Sequence, residues 1–357
     1  MDVFSVFTLL GGVAFFLFGM NTMSDGLEKM AGCKLKKALR EMTCSKWRSL
    51  LIGAGITIAI QSSSALTVML VGFVNSGIME VCQTVGIIMG SNIGTTLTAW
   101  LLSMVGIESD NFFLRLLKPE SFSPLAAVAG ILLSMSKSRK KKQLGEILLG
   151  FGVLMFGMEL MGDAVAPLAD MPEFSQVLTA FSNPVLGILI GALITAVIQS
   201  SAASVGMLQA LSLTGSVTFG AAIPIILGQN IGTCATALIS SIGVNRNAKR
   251  VSVIHISFNI IGTALFCAVF YTLNGILKFS FLENAITPFE IALFHTLFNL
   301  ATTAVLLPFA KQLEKLACRV VKEKKKGCEF AYLDPHLLLT PTLAIGECTQ
   351  MTAKMGE

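Results

Sequence analysis

Two blocks of small polar residues stand inside long apolar runs, Gln61-Ser62-Ser63-Ser64-Ala65 and Gln199-Ser200-Ser201-Ala202-Ala203. Each is followed at the same distance by a second block, Gly90-Ser91-Asn92-Ile93-Gly94-Thr95-Thr96 and Gly228-Gln229-Asn230-Ile231-Gly232-Thr233-Cys234. All four blocks align at one offset of 138 residues, and 11 of the 15 residues in 51–65 match their partners in 189–203. A Gln-Ser-Ser bend in such a run starts a new half-helix, with serine as a strong N-cap. That half-helix aims its first N–H groups and its positive dipole end at whatever lies before it. Two such bends suit an oxyanion. The serine and threonine hydroxyls and the Gln and Asn carbonyls are hard oxygen ligands, which suits sodium. A single serine in a membrane helix is usually a packing device; a Gln-Ser-Ser bend repeated at one offset points to a shared site.

No Lys, Arg, Asp or Glu occurs in 49–78 or 186–217. An anion held there has no fixed cation to pair with, and desolvating it unpaired at mid-membrane costs several kcal/mol or more. Coupling to a bound cation removes that penalty. No carboxylate or histidine sits in either bend to carry a proton, so sodium is the expected partner of the anion. The same absence argues against an enzyme: a serine hydrolase needs a base beside Ser62 or Ser200, and His255 and His295 lie outside both duplicated units.

The elements that must position these blocks follow from composition and charge. The chain has 357 residues, 54% hydrophobic and 13% charged, with a mean hydropathy of +0.75. That places it with all-α polytopic membrane proteins rather than soluble domains. No cleavable leader is read at the start, and the first span, 3–23, is expected to serve for targeting and stay. The eight cysteines show no CxxC pair and no metal-ligand spacing, so neither a disulfide framework nor a transition-metal site is expected. The net charge of +5 comes largely from basic loops and calls for no nucleic acid.

Spans are expected at 3–23, 81–105 (interrupted at Ser91-Asn92-Ile93-Gly94), 122–136, 143–162, 217–242, 250–272 and 287–310. The segment 34–48 is rich in Lys and Arg, while its counterpart 172–186 has neither; 106–120 is slightly acidic, while its counterpart carries Arg246, Lys249 and Arg250. Cytoplasmic loops carry the excess of Lys and Arg, so equivalent loops lie on opposite sides and the two repeats are inverted. Every basic cluster falls inside only if 49–75 enters and leaves on one side. The expected architecture is therefore two inverted repeats, each with a re-entrant hairpin (about 49–75 and 186–213) and a broken transmembrane helix. Repeat 1 takes 1–136, a basic cytoplasmic loop 137–142, repeat 2 with two further spans 143–310, and a cytoplasmic segment 311–357. The N-terminus lies outside and the C-terminus in the cytoplasm.

The paired Gln-Ser-Ser motifs, each followed by Gly-x-Asn-Ile-Gly-Thr, resemble the type II sodium-dependent phosphate cotransporters, bacterial branch, over residues 1 to about 315. The resemblance implies sodium-coupled symport of inorganic phosphate across the inner or plasma membrane by alternating access. It implies a phosphate shell of Gln61, Ser62, Ser63, Ser64, Gln199, Ser200 and Ser201. The sodium shell would draw on Gln61, Ser64, Asn92, Thr95, Thr96, Gln199, Ser200, Asn230 and Thr233, with Na⁺ as coupling ion and no other cofactor. Ala202 and Cys234 depart from the pattern and bear on the ion ratio. Residues after Leu333-Asp334-Pro335 resemble the start of a PhoU-like cytoplasmic regulatory domain. An oligomer is compatible with this reading. A phosphate-binding sensor without turnover, and symport of another oxyanion such as sulfate, are the alternatives.

Weaker signals remain. His255-x-x-Phe258-Asn259 and His295-x-x-Phe298-Asn299 place His and Asn on one helix face and are expected to hydrogen-bond between helices. Asp25 and Asp163 are read as interfacial caps, and Gly150-Phe151-Gly152 as helix packing.

Overall fold

In the computed structural model, residues 3–40, 45–106, 119–168, 171, 174, 178 and 180–322 are described. The chain divides into Met1–Val321 and Lys322–Glu357. The stretch expected to open a regulatory domain lies outside the described residues, as does the acidic loop around Glu108 and Asp110. The first unit is a helical bundle: α1 (Val3–Arg40), α2 (Lys46–Ile60), α3 (Ser63–Asn75), α4 (Val81–Leu102), α5 (Pro119–Ser134), α6 (Arg139–Val165), α7 (Pro184–Ile198), α8 (Ser201–Ser212), α9 (Phe219–Gly232), α10 (Cys234–Ser240), α11 (Arg246–Leu277), α12 (Pro288–Leu306) and α13 (Ala310–Val320). Among its described residues, six stretches are long and apolar enough to cross a membrane.

The duplication is visible in how helices touch. In the first repeat, a Cβ on Gly53 would lie 2.2 Å from the Ile87 carbonyl oxygen and one on Gly90 2.0 Å from that of Leu50. In the second, Gly191 meets Ile225 at 2.2 Å and Gly228 meets Ile188 at 2.1 Å. All of these residues are related by the 138-residue offset. Gly86, Gly90 and Gly94 meet successively later residues of α2, so α2 and α4 run parallel. The chain must therefore turn back between them, and α3 is that return. By the same test α7 and α9 are parallel, with α8 returning. Each hairpin arm has 15 residues or fewer, roughly 22 Å of helix against a hydrocarbon core of about 30 Å. No arm spans alone.

The hairpins open at opposite ends of α11. The end of α3 is tied to its start, where Asn245 N–H donates to Asn75 Oδ1 at 2.9 Å. The start of α9 is tied beyond its end, where the Ile286 N–H donates to the Val217 carbonyl at 2.8 Å. Corresponding helices α1 and α6 are antiparallel: Gly12 lies against Gly157, Gly19 against Gly150 and Gly26 against Ile147.

Several expectations need correction. α4 is continuous through Ser91-Asn92-Ile93-Gly94, because Asn92 and Thr95 donate to the carbonyls of Ile88 and Ser91 one turn back, at 2.9 and 3.0 Å, and support the helix instead of opening it. Only the second copy pauses, at Thr233 between α9 and α10. α1 runs on past residue 23 to Arg40, which puts exposed Asp25 inside a helix and not at a cap. Cys82 is disulfide-bonded. The Asn259 and Asn299 amides donate to the carbonyls of His255 and His295 in their own helices, at 3.0 and 2.9 Å, where bonds between helices were expected. Gly150 and Gly152 do pack helices: a Cβ would lie 2.5 Å from Met23 N and 2.8 Å from the Ser123 carbonyl.

Candidate functional site: two facing bends

Each hairpin turns over a single glutamine in the left-handed region. Gln61 has φ 54°, ψ 26° and Gln199 φ 59°, ψ 22°; among the described residues only Lys278 shares this with them outside glycine. Helices commonly end on such a residue, but usually it is glycine, and a side chain there costs roughly 1–2 kcal/mol. Both glutamine N–H groups close the first arm on a threonine carbonyl, Thr57 and Thr195, at 2.7 Å. The next residue caps the second arm: Ser62 Oγ accepts from Ala65 N at 3.1 Å, and Ser200 Oγ from Ala203 N at 3.2 Å. The N–H groups of Ser63, Ser64, Ser201 and Ala202 fall in the first turns of α3 and α8, where no intrahelical acceptor is available to them. Ala202 lacks the third hydroxyl but keeps this backbone donor.

The two bends meet. Gln61 to Ser64, Gln199 to Ala202, Thr95 and three residues of α1 (Met20, Asn21 and Ser24) line one cavity of about 110 Å³. No lining residue is ionisable. Ser64 Oγ donates to the Gln199 carbonyl at 3.4 Å, and Thr236 Oγ1 lies 3.4 Å from Ser64 Oγ. Thr98 Oγ1 donates to Gln61 Oε1 at 2.7 Å while Gln61 Nε2 donates to the Ile58 carbonyl at 2.7 Å, which fixes the amide orientation. Ser24 Oγ donates to the Ile60 carbonyl at 2.8 Å and ties α1 to the bend.

Every residue expected to hold phosphate therefore lies at one cavity. Of the second blocks, only Thr95 reaches it. Asn92, Thr96, Asn230 and Thr233 are buried behind it, with their donors turned onto the carbonyls of Ile88, Ile93, Ile226 and Asn230. Asn21, Ser24, Thr98 and Thr236 were not singled out from the sequence. Thr98 and Thr236 are partners at the 138-residue offset, so the duplication could have found them; Asn21 pairs with Glu159 and carried no such signal.

The repeats also differ in their support. Thr57 Oγ1 donates to Ser91 Oγ at 2.8 Å. At the 138-residue offset Thr195 and Gln229 take the places of Thr57 and Ser91, and Thr195 Oγ1, Ser204 Oγ and Gln229 Oε1 are buried without partners among the described residues. A second, shorter repetition joins α11 and α12: His255, Asn259 and Thr263 recur 40 residues on as His295, Asn299 and Thr303. In all six residues a buried polar atom lacks a partner among the described residues.

The apolar spans and the uncharged cavity between two broken segments define a multi-pass membrane protein with a transporter's architecture. The chain belongs to the Na⁺/Pi-cotransporter family, which it matches twice, over residues 15–163 and 154–290. It is 30% identical over 314 residues to the uncharacterized protein YqeW of Bacillus subtilis, covering 87% of this chain and 97% of that one. It is 25% identical over 355 residues to the putative inorganic phosphate export protein YjbB of Salmonella typhimurium, covering 98% of this chain but 62% of that one. An 87-residue stretch is 37% identical to human sodium-dependent phosphate transport protein 2B, 24% of this chain and 12% of that protein. No solved structure matches the chain.

Proposed function

We propose that the protein carries inorganic phosphate together with sodium across the inner or plasma membrane by alternating access, with its N-terminus outside and its C-terminus in the cytoplasm. The observation that carries this reading is the pair of Gln-Ser-Ser bends facing each other across one neutral cavity. Four first-turn N–H groups and the hydroxyls of Ser62, Ser63, Ser64, Ser200 and Ser201, with the amides of Gln61 and Gln199, supply donors for a tetrahedral oxyanion. They supply no positive charge. Sodium supplies it, held by carbonyl and hydroxyl oxygens of Gln61, Ser64, Thr95, Gln199 and Ser200, with Asn92, Thr96, Asn230 and Thr233 behind the cavity. The basic end of the bundle, with Lys46, Arg246 and Lys249, faces the cytoplasm by charge.

The decisive measurement is labelled phosphate flux in proteoliposomes driven by a sodium gradient. Flux that is unchanged when potassium replaces sodium sinks the coupling. Retained binding without flux would make the protein a sensor, and strong competition by sulfate would widen the cargo. Gln61→Ala and Gln199→Ala should each abolish flux while the protein still inserts. The name given to YjbB favours a second reading of direction, outward phosphate movement through the same site. Setting the sodium and phosphate gradients against each other decides it.

A further inference from the structure

Away from the bends, a groove of about 400 Å³ opens between α2, α4 and the end of α12. Lys46, Trp47 and Pro308 form its rim, and Leu50, Ile93 and Thr303 line it further in. Lys46 Nζ donates to the Pro308 carbonyl at 3.0 Å, which holds the ammonium at the mouth with protons to spare. Trp47 is 70% exposed, and a Lys–Trp pair at a helix start is the usual anchor at a membrane–water interface. The flanking surface is exposed and apolar, with Leu51 and Leu297. One feature is out of place on such a face: Thr303 is 4% exposed, and its hydroxyl has no partner among the described residues. Thr303 lies five residues before Pro308, about 7 Å further in along the helix at 1.5 Å per residue.

A cation at the mouth, an unmatched hydroxyl below it and aliphatic walls beyond form an ordered series. A glycerophospholipid presents the complementary series: phosphate, then ester carbonyls, then acyl chain. We propose that this groove holds a glycerophospholipid with an anionic headgroup, its phosphate at Lys46, an ester carbonyl at Thr303 and one acyl chain along Leu50 and Ile93. The bound chain touches the first arm of a hairpin and the Asn-Ile-Gly-Thr block of α4, and so braces that hairpin against α12. The site is independent of what the bends carry.

Native mass spectrometry of the purified protein supplied with phosphatidylglycerol or phosphatidylcholine tests it. Phosphatidylglycerol should be retained about fivefold over phosphatidylcholine, the factor one near-surface lysine carries, and Lys46→Gln should remove that preference. Thr303→Val, nearly isosteric, should lower retention of both lipids. Leu300 and Ala304 also line the groove: Leu300→Trp fills it and should lose the bound lipid, and if that variant does not fold, Ala304→Phe fills the same space. Equal retention of the two lipids by the parent protein, or undiminished retention in the filled groove, overturns the proposal and leaves only an unselective lipid annulus.

Discussion

The Ser64 hydroxyl donates to the Gln199 carbonyl at 3.4 Å, so the bend of the first hairpin is hydrogen-bonded to that of the second. The reciprocal bond cannot form, because Ala202 stands where the second repeat would need a serine. The cavity is thus built from near-copies that are joined asymmetrically. What the glutamines do in it can be separated from what their backbones do.

Gln61→Gly and Gln199→Gly place the residue that tolerates positive φ best at each bend. The relief is roughly 1–2 kcal/mol at each bend; at Gln61 it offsets two lost side-chain hydrogen bonds of about 1 kcal/mol each. Thermal unfolding in detergent should stay near that of the parent, while sodium-driven phosphate flux falls by at least about tenfold. Flux close to the parent's would mean the glutamines serve only the turn.

Thr98 is the residue that orients Gln61. Thr98→Val leaves Gln61 Oε1 without its donor, a loss of about 1–3 kcal/mol, or about tenfold or more in flux at 1.4 kcal/mol per decade. Thr98→Ser keeps the hydroxyl and should restore most of the flux. Equal behaviour of the two variants would assign Thr98 to packing.

The glycine contacts predict a contrast in stability. Gly90→Val and Gly228→Val push a side chain into the backbone of Leu50 and Ile188 and should each cost about 3 kcal/mol, read as a lowered unfolding midpoint. Gly55, on the same helix as Leu50, has nothing within 4 Å of its would-be Cβ. Gly55→Ala should be neutral or gain up to about 1 kcal/mol. A large loss at Gly55 would contradict the hairpin packing.

No ionisable group lines the cavity, and His255 and His295 belong to α11 and α12. His255→Gln and His295→Gln should therefore leave the shape of the flux–pH profile unchanged, whatever they do to stability. A midpoint displaced in either variant would give that histidine a part in transport.

The bends were legible in the sequence because polar blocks in apolar runs are costly and because they recur at one offset. Charge placement then called for 49–75 to return to its own side; in the structure α2 and α4 run parallel with α3 between them. The break assigned to Asn92-Ile93-Gly94 in α4 was misread for a local reason. Asn and Thr side chains can open a helix or bond back onto it, and residue type alone does not distinguish the two. Contacts from α1 were not legible either: Asn21 and Ser24 reach the cavity through tertiary packing, and neither is repeated in the second half.

The neutrality of the cavity has an electrical consequence. Moving one elementary charge across the membrane is worth about 2.3 kcal/mol per 100 mV, and the lining of the empty bends contributes none. No lining side chain then gives the membrane potential a fixed charge to act on at this site. A voltage-jump measurement would report the net charge of the cargo, with no contribution from ionised side chains of the lining.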